Sequence, residues 1–442
     1  RVIAEAVVVG LNVETHVLLL TLAQSSSRVS EANGEGQFLV LLGAELIDGT
    51  GAEAIGNSAV VIRGDRILYA GSRADIEIPT AADIIDVGGH TLLPGFINAH
   101  VHRGANASNL EAWARAGVTT VRDLGYSAAG LAYFREIYPP TPERARLVAA
   151  GPLITVPGGY PIVPFGGGWA ATVDSPEEAR TLAEGLLDGP ADRLTLVLET
   201  GTVFGLQIPV LSLQEARRLV RVAHGRGTVA SAHITSVVDI DLALDAGVDD
   251  FAHMAVDRLL PVAVAQRIVD NGVAWVPTLE LWDCAGSGSL AVANLGRFVS
   301  AGGQVALGTD YEGYTCSWDL GMPTTEIELM EQAGMTPMQI IVAATRNAAR
   351  VCNLGRELGT LENGKIADIF VIEGNPLSDL GALLEVRLVI HDGVVIRDEL
   401  RPPLPAPRTA SLRVGRPRPG GREVSPPSSG VANSQEYSMM TI

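Results

Sequence analysis

The sequence predicts an α/β protein: a (β/α)8 barrel accompanied by a small sheet module. Eight apolar strand-like segments alternate with helical stretches between residues 91 and 310, which fits a barrel better than an open sheet. Short alternating, turn-punctuated runs flank this region on both sides. The length agrees, since 442 residues exceed one small core while a barrel of ~250 residues plus an accessory module accounts for them.

Taken in order, residues 1–37 open with an Arg and carry apolar runs that Glu5, Glu14 and His16 interrupt, unlike the hydrophobic region of a signal peptide. They read as an extension, and the chain as cytoplasmic, with export the alternative. From residue 38 to 90, FLVLLGAELIDGTG and SAVVIRGDRILYAGS alternate like strands, with Gly64-Asp65 as a hairpin turn. The pattern returns over 359–400 in KIADIFVIEGNP and VRLVIHDGVVIRD, where Asp392-Gly393 is the second such turn. One small sheet module built from both segments is therefore expected.

The barrel is assigned to 91–358, with strands at 91–102, 119–125, 146–154, 194–199, 228–233, 249–253, 273–278 and 305–310. Helical spacing separates several of them, as in SPEEARTLAEGLL and in SLQEARRLVRVAHGRG, where Ser212 and Glu215 form a capping-box pattern. The tail, 401–442, holds eight prolines and six arginines with almost no apolar periodicity, and reads as disordered.

Bulk properties narrow the function. A net charge of −18 argues against nucleic acid or an anionic membrane as partner, and no run reaches the ~20 apolar residues that span a bilayer. A small-molecule substrate is expected. Cys284, Cys316 and Cys352 stand at no metal-like spacing and cannot all pair, so no disulfide framework is expected, and the compartment stays open.

Chemistry gathers where the strands end, the rim on which active sites of such barrels form. His100 and His102, at i and i+2, point to one side of the first strand. His233, His253 and Asp310 end the fifth, sixth and eighth strands. A single strand histidine is more often a hydrogen-bonded core residue, but four of the chain's eight histidines at strand ends point to a metal centre. His16, His90, His224 and His391 keep the structural reading.

The segments PGFINAHVH, VTTVRDLG, GPLIT followed by GGY, AHGRGTVASAH, AGVDDFAHM, VPTL, GTD and GTLENGKIADIFVIEGNPL resemble the amidohydrolase superfamily. The wording is closest to an imidazolonepropionase-like branch that includes prolidase-like and ochratoxin-hydrolysing enzymes. The resemblance implies a distorted (β/α)8 TIM barrel with a small β-sandwich made from N- and C-terminal segments. It implies a binuclear metal centre with one or two divalent ions, zinc first, although imidazole and carboxylate also suit manganese, iron or cobalt. By the same token His100, His102 and Asp310 hold one ion and His233 and His253 the other. Asp310 then takes the proton of the attacking water and delivers it to the leaving nitrogen. Tyr160, where many relatives carry histidine, is a candidate donor to the oxyanion, or packing alone. A homo-oligomer is implied by resemblance only.

One departure matters. Many members of that branch have a carboxylated, metal-bridging lysine on the fourth strand in a pattern like A-D-x-I-K, but Ala191-Asp192-Arg193-Leu194 is followed here by Thr195. Glu199 shares the parity of Thr195 and lies ~13 Å nearer the strand's end. It is a candidate bridging ligand; the alternatives are a mononuclear site with Glu199 beside it, or an acid where the strand meets solvent. Arg122 is a candidate for a substrate carboxylate or for an internal ion pair. Trp169, Trp282, Tyr311, Tyr314 and Trp318 fall in loops after the third, seventh and eighth strands, and read as an apolar substrate wall or as loop packing.

The reading is a metal-dependent hydrolase of a carbon–nitrogen bond in an amide, cyclic amide, N-acyl amino acid or dipeptide. Ester, lactone or organophosphate hydrolysis is the alternative within catalysis, and a non-catalytic scaffold the alternative outside it.

Overall fold

The computed structural model of the chain describes residues 38–167, 170–313 and 315–401. The expected extension and nearly all of the expected tail lie outside them.

Both hairpins form at their turn signals. Ser58–Arg63 pairs antiparallel with Arg66–Ser72, and Val386–His391 with Val394–Asp398. In the second turn Asp392 and Gly393 both take positive φ, 50° and 75°, which a two-residue turn matching strand twist requires. A Cβ on Gly393 would also run into the Gly64 carbonyl, so the two turns abut and only glycine fits there.

A four-stranded sheet runs Arg66–Ser72, Ser58–Arg63, Phe38–Leu42, Asp83–Asp86. A five-stranded sheet joins the two sequence segments, because Ile369–Glu373 pairs with both Val386–His391 and His90–Pro94. Alternate residues of each strand face one shared core: Leu39 and Leu41, Val60 and Ile62 from the first sheet, Ile369 and Val371, Leu388 and Ile390 from the second.

Parallel strands fill the middle of the chain. Phe96–Val101, Val118–Asp123 and Arg146–Ala149 form one sheet. Ala171–Thr172, Ile154–Thr155, Leu194–Val197, Ala230–His233, Asp250–Ala252 and Ala274–Val276 form another. The expected third strand is thus broken at Gly151-Pro152, and its halves join different sheets. The expected eighth strand is not a regular strand either. Thr309 and Asp310 both donate their N–H to the His100 carbonyl, at 3.1 and 2.9 Å, which interrupts the ladder. Backbone hydrogen bonds cross each break, among them Asp192 N–H to Ala149 O at 2.8 Å, Trp275 N–H to Gln304 O and Ala306 N–H to Trp275 O at 2.9 Å, and Ala99 N–H to Leu307 O at 2.8 Å.

Helices cover these strands as patterned. Leu213–Gly225 starts in the expected capping box, with Ser212 N–H donating to Glu215 Oε2 at 2.7 Å and Glu215 N–H to Ser212 Oγ at 3.3 Å. Ser175 caps Pro176–Leu187, with Pro176 in the first turn where its missing N–H is harmless. The apolar faces bury Trp113, Phe251, Trp275 and Phe298. No helix among the described residues is long and apolar enough to cross a membrane.

Candidate metal centre and active site

The first strand ends in His100-Val101-His102, and a brace sets where that end lies. Asn98 Nδ2 donates to Thr309 Oγ1 at 3.0 Å, while its Oδ1 accepts from the N–H of Thr309 at 3.2 Å and of His100 at 3.3 Å. Gly308 makes the approach possible, since a Cβ there would sit 2.7 Å from the His100 nitrogen. Asp310 is thereby hung on the His100 carbonyl. Its Oδ1 lies 2.9 Å from His100 Nε2 and 3.0 Å from His102 Nε2.

Two more imidazoles close the cluster. The ring centroids of His100 and His253 are 4.6 Å apart, and those of His253 and His233 4.5 Å. Ligand atoms of His100, His253 and Asp310 all lie within 4.8 Å of one another. Three of the rings have a support: His102 Nδ1 meets Gly125 O at 3.3 Å, His253 Nδ1 meets Thr278 Oγ1 at 3.0 Å, and His233 stacks on Tyr160 at 4.4 Å. His253 and Asp310 hold φ at 70° and 67°, a region non-glycine residues rarely occupy.

Burial sets the charge states. It lowers His100 and His253 and pushes His233 down to about 3, against the opposing pull of Asp310. Burial acts on His102 too, but Asp310 outweighs it and raises that ring to about 9. Burial favours a neutral Asp310, yet the imidazoles of His100, His102 and His253 hold it well below the usual carboxylate range. Three neutral imidazoles beside a carboxylate are the donor set of a borderline divalent cation. The orphaned atoms fit that role: His100 Nδ1 and His233 Nε2 are buried with no hydrogen-bond partner among the described residues.

Glu199, like His102 and His233, is outside the group of ligand atoms that all lie within 4.8 Å of one another. Its carboxylate is fully buried, but Oε1 accepts the Gly201 N–H at 2.6 Å and Oε2 the Thr235 hydroxyl. The strand stops at Val197, two residues earlier, so the parity argument no longer governs where Glu199 points. The acid at the end of LTLVLE instead ties down the loop that follows.

Arg122 is a correction. Both its terminal nitrogens engage Asp250, at 3.0 and 2.9 Å, and it also donates to Ser231 Oγ at 3.1 Å, Val351 O at 3.0 Å and Ala99 O. It is fully buried with its donors committed to the protein, which leaves nothing for a substrate carboxylate.

Tyr311 turns its ring onto Trp113 at 5.1 Å and Trp318 at 6.2 Å. Trp282 lies edge-on to His253 at 6.2 Å. Trp169 and Tyr314 fall outside the described residues. The cysteines differ from expectation in one respect: Cys284 and Cys316 are disulfide-bonded, joining the segments that carry Trp282 and Tyr311, while Cys352 is free and buried.

Several contributors were not singled out from the sequence. Thr278 and Thr309 support the ligands, and Phe165 and Phe204 pack at 5.8 and 5.9 Å from Tyr160. The two phenylalanines sit in loops after the third and fourth strands, where the criterion that selected Trp169 would have found them.

The middle of the chain, residues 91–396, matches the amidohydrolase family. Among relatives, the ochratoxinase of Aspergillus niger is 26% identical over 429 residues, covering 82% of this chain and 87% of its own. An imidazolonepropionase of Fusobacterium nucleatum is 24% identical over 368 residues, covering 72% and 85%. The structure of a putative prolidase from Bifidobacterium longum superposes with a TM-score of 0.69 at 26% identity, covering 82% and 95%. The chain belongs to the amidohydrolase family, and by that membership is a metal-dependent hydrolase of carbon–nitrogen bonds.

Proposed function

We propose that this protein hydrolyses the amide or cyclic amide bond of a small molecule, such as an N-acyl amino acid or dipeptide, at a centre built by His100, His102, His233, His253 and Asp310. The observation that carries the reading is one carboxylate oxygen 2.9 and 3.0 Å from two imidazole nitrogens, with His253 closing the group. These residues would hold a divalent ion, zinc first among those that imidazole and carboxylate suit, which would supply Lewis acidity and lower the pKa of water to ~7. We read one ion rather than two, because the oxygens of Glu199 are already engaged and no lysine stands at Thr195.

The chain's own residues do the rest. His100, His102 and His253 fix the electrophilic position, and Thr278 fixes the ring of His253. Asp310 accepts the proton of the attacking water on its carboxylate and returns it to the leaving nitrogen. The Tyr160 phenol, whose ring is stacked on His233, donates to the oxygen on which charge develops. Burial of the cluster excludes bulk water and strengthens each of these interactions.

The two parallel sheets, bridged at their breaks by backbone hydrogen bonds, are read as two arcs of a distorted (β/α)8 barrel over 91–358. The two outer sheets are read as one β-sandwich, expected over 38–90 and 359–400 but running on through the strand His90–Pro94. A homo-oligomer acting on small molecules is the partner reading. The bonded cysteine pair is of a kind that persists in oxidising compartments, which weighs toward export and against the cytoplasm.

The test is hydrolysis of a panel of N-acyl amino acids, dipeptides and cyclic amides, read as release of free amine, and of matched esters and lactones, read as release of acid, by the metal-loaded protein. Turnover is expected on at least one amide, falling about 10²–10⁴-fold in Asp310→Asn. Turnover confined to esters or lactones, or undiminished in Asp310→Asn, contradicts the reading.

A further inference from the structure

One side of the cluster carries an aromatic group of which the chemistry above uses only the Tyr160 phenol. Tyr160 is sandwiched: its ring stacks on His233 at 4.4 Å on one side and lies nearly parallel to Phe204 at 5.9 Å on the other. Phe165 meets both Tyr160 and Phe204 edge-on, at 5.8 and 5.7 Å. Unlike core aromatics, Phe165 and Phe204 are 40% and 37% exposed, and Val163 and Leu206 extend the exposed apolar rim. An apolar surface of this kind, left open beside a buried polar centre, marks a ligand groove rather than a core.

The elements that present it are held in place. Phe165 ends the short helix Ile162–Phe165, and Gly166 follows with φ of 71°, turning the chain back. Phe204 ends the 3₁₀ turn Thr202–Phe204, whose start is anchored by the Gly201 N–H on the Glu199 carboxylate. Glu199 thus fixes the loop that sets Phe204 against Tyr160.

We propose that Tyr160, Phe165 and Phe204 form a subsite for an aryl or bulky apolar group flanking the scissile bond, so that the substrates are amides carrying such a group. The inference rests on the amide-hydrolase reading and names the substrate class of the same site. The stack runs from His233, inside the cluster, to the open rim, so a carbonyl placed at the cluster lays its substituent along the rings. Covering exposed ring surface favours an aryl group over a methyl group by about tenfold or more.

Two measurements on the metal-loaded protein test it. The first is calorimetric binding of phenylacetate against acetate; the second is kcat/KM on acetyl-phenylalanine and phenylacetyl-alanine against acetyl-alanine. Phenylacetate is expected to bind about tenfold tighter than acetate, and at least one aryl amide to be preferred by a similar factor. Both ratios should fall toward one in the Phe165→Ser, Phe204→Ser double variant, with the single variants intermediate. Equal binding of the two acids, or ratios unmoved in all three variants, overturns the subsite. An oligomer that dissociates in the double variant, with ligand ratios unchanged, also overturns it and gives the rim to a second copy of the chain. An aryl preference in binding that the variants abolish, without hydrolysis of any amide, upholds the subsite and refutes the amide-hydrolase reading instead.

Discussion

At His253 and Asp310 the backbone is held in a strained, left-handed conformation, and in both cases neighbouring groups hold it there. Asp310 hangs by its N–H on the His100 carbonyl at 2.9 Å; His253 is clasped by the Trp275 indole on its carbonyl at 2.5 Å and by Thr278 on its ring. Thr278→Val keeps the shape and removes the hydroxyl. Metal affinity, measured by chelator competition, is expected to fall about 10–100-fold with the fold retained; an unchanged affinity would show that Thr278 does not orient the ring. Residues fixed by strand geometry alone were the ones legible in the sequence. The i, i+2 spacing of His100 and His102 points both rings one way wherever the strand lies. Glu199 was not legible to the same degree, because it lies beyond the last strand residue, and its direction is set by Gly201 and Thr235, which no strand pattern specifies. Arg122 was ambiguous for a related reason: its partner Asp250 is 128 positions away, and only the fold makes them neighbours.

At the level of elements, the hairpins and the helix Leu213–Gly225 follow local turn and cap chemistry and were readable. The segment 305–310 was not, because Thr309 and Asp310 spend their N–H groups on one carbonyl instead of continuing a ladder. The segments after 278 and 310 are joined by the Cys284–Cys316 bond across 32 positions. Loop-closure entropy puts its contribution at about 4 kcal/mol. A Cys284→Ser, Cys316→Ser variant should show a lower urea midpoint, to which a reducing agent adds nothing further; an unchanged midpoint would mean that the bond does not stabilise the fold. The same region holds two buried carboxyls. Glu326 accepts the Glu280 N–H at 2.8 Å, and Glu280 the Asp319 N–H at 2.9 Å. Burial pushes both up to about 8 from an ordinary 4.5. The folded chain therefore binds protons that the unfolded chain releases above about pH 4.5. The stability tied to these neutral forms is fully present below that pH and lost as pH rises through 8. Each group contributes a slope of at most about 1.4 kcal/mol per pH unit. Glu326→Gln keeps the acceptor and abolishes the titration, so thermal midpoints between about pH 6 and 9 should fall less steeply than in the parent. An equal slope would contradict the assignment.

Across the whole molecule, strand ends bring residues from 100 to 310 into one buried cluster, and hydrogen bonds across two sheet breaks keep them together. The order HxH, His, His, Asp carried that arrangement in the sequence. How many ions it serves was not carried there, because the count depends on where one side chain, Glu199, turns after its strand. The measurement that tests the central claim most directly is metal content per chain by mass spectrometry on the parent, His253→Ala and Glu199→Gln. One equivalent in the parent, lost in His253→Ala and kept in Glu199→Gln, is the expected result. Two equivalents falling to one in Glu199→Gln would restore the bridging role and contradict the single-ion centre, and no metal in the parent even after reconstitution would contradict a metal-dependent site altogether.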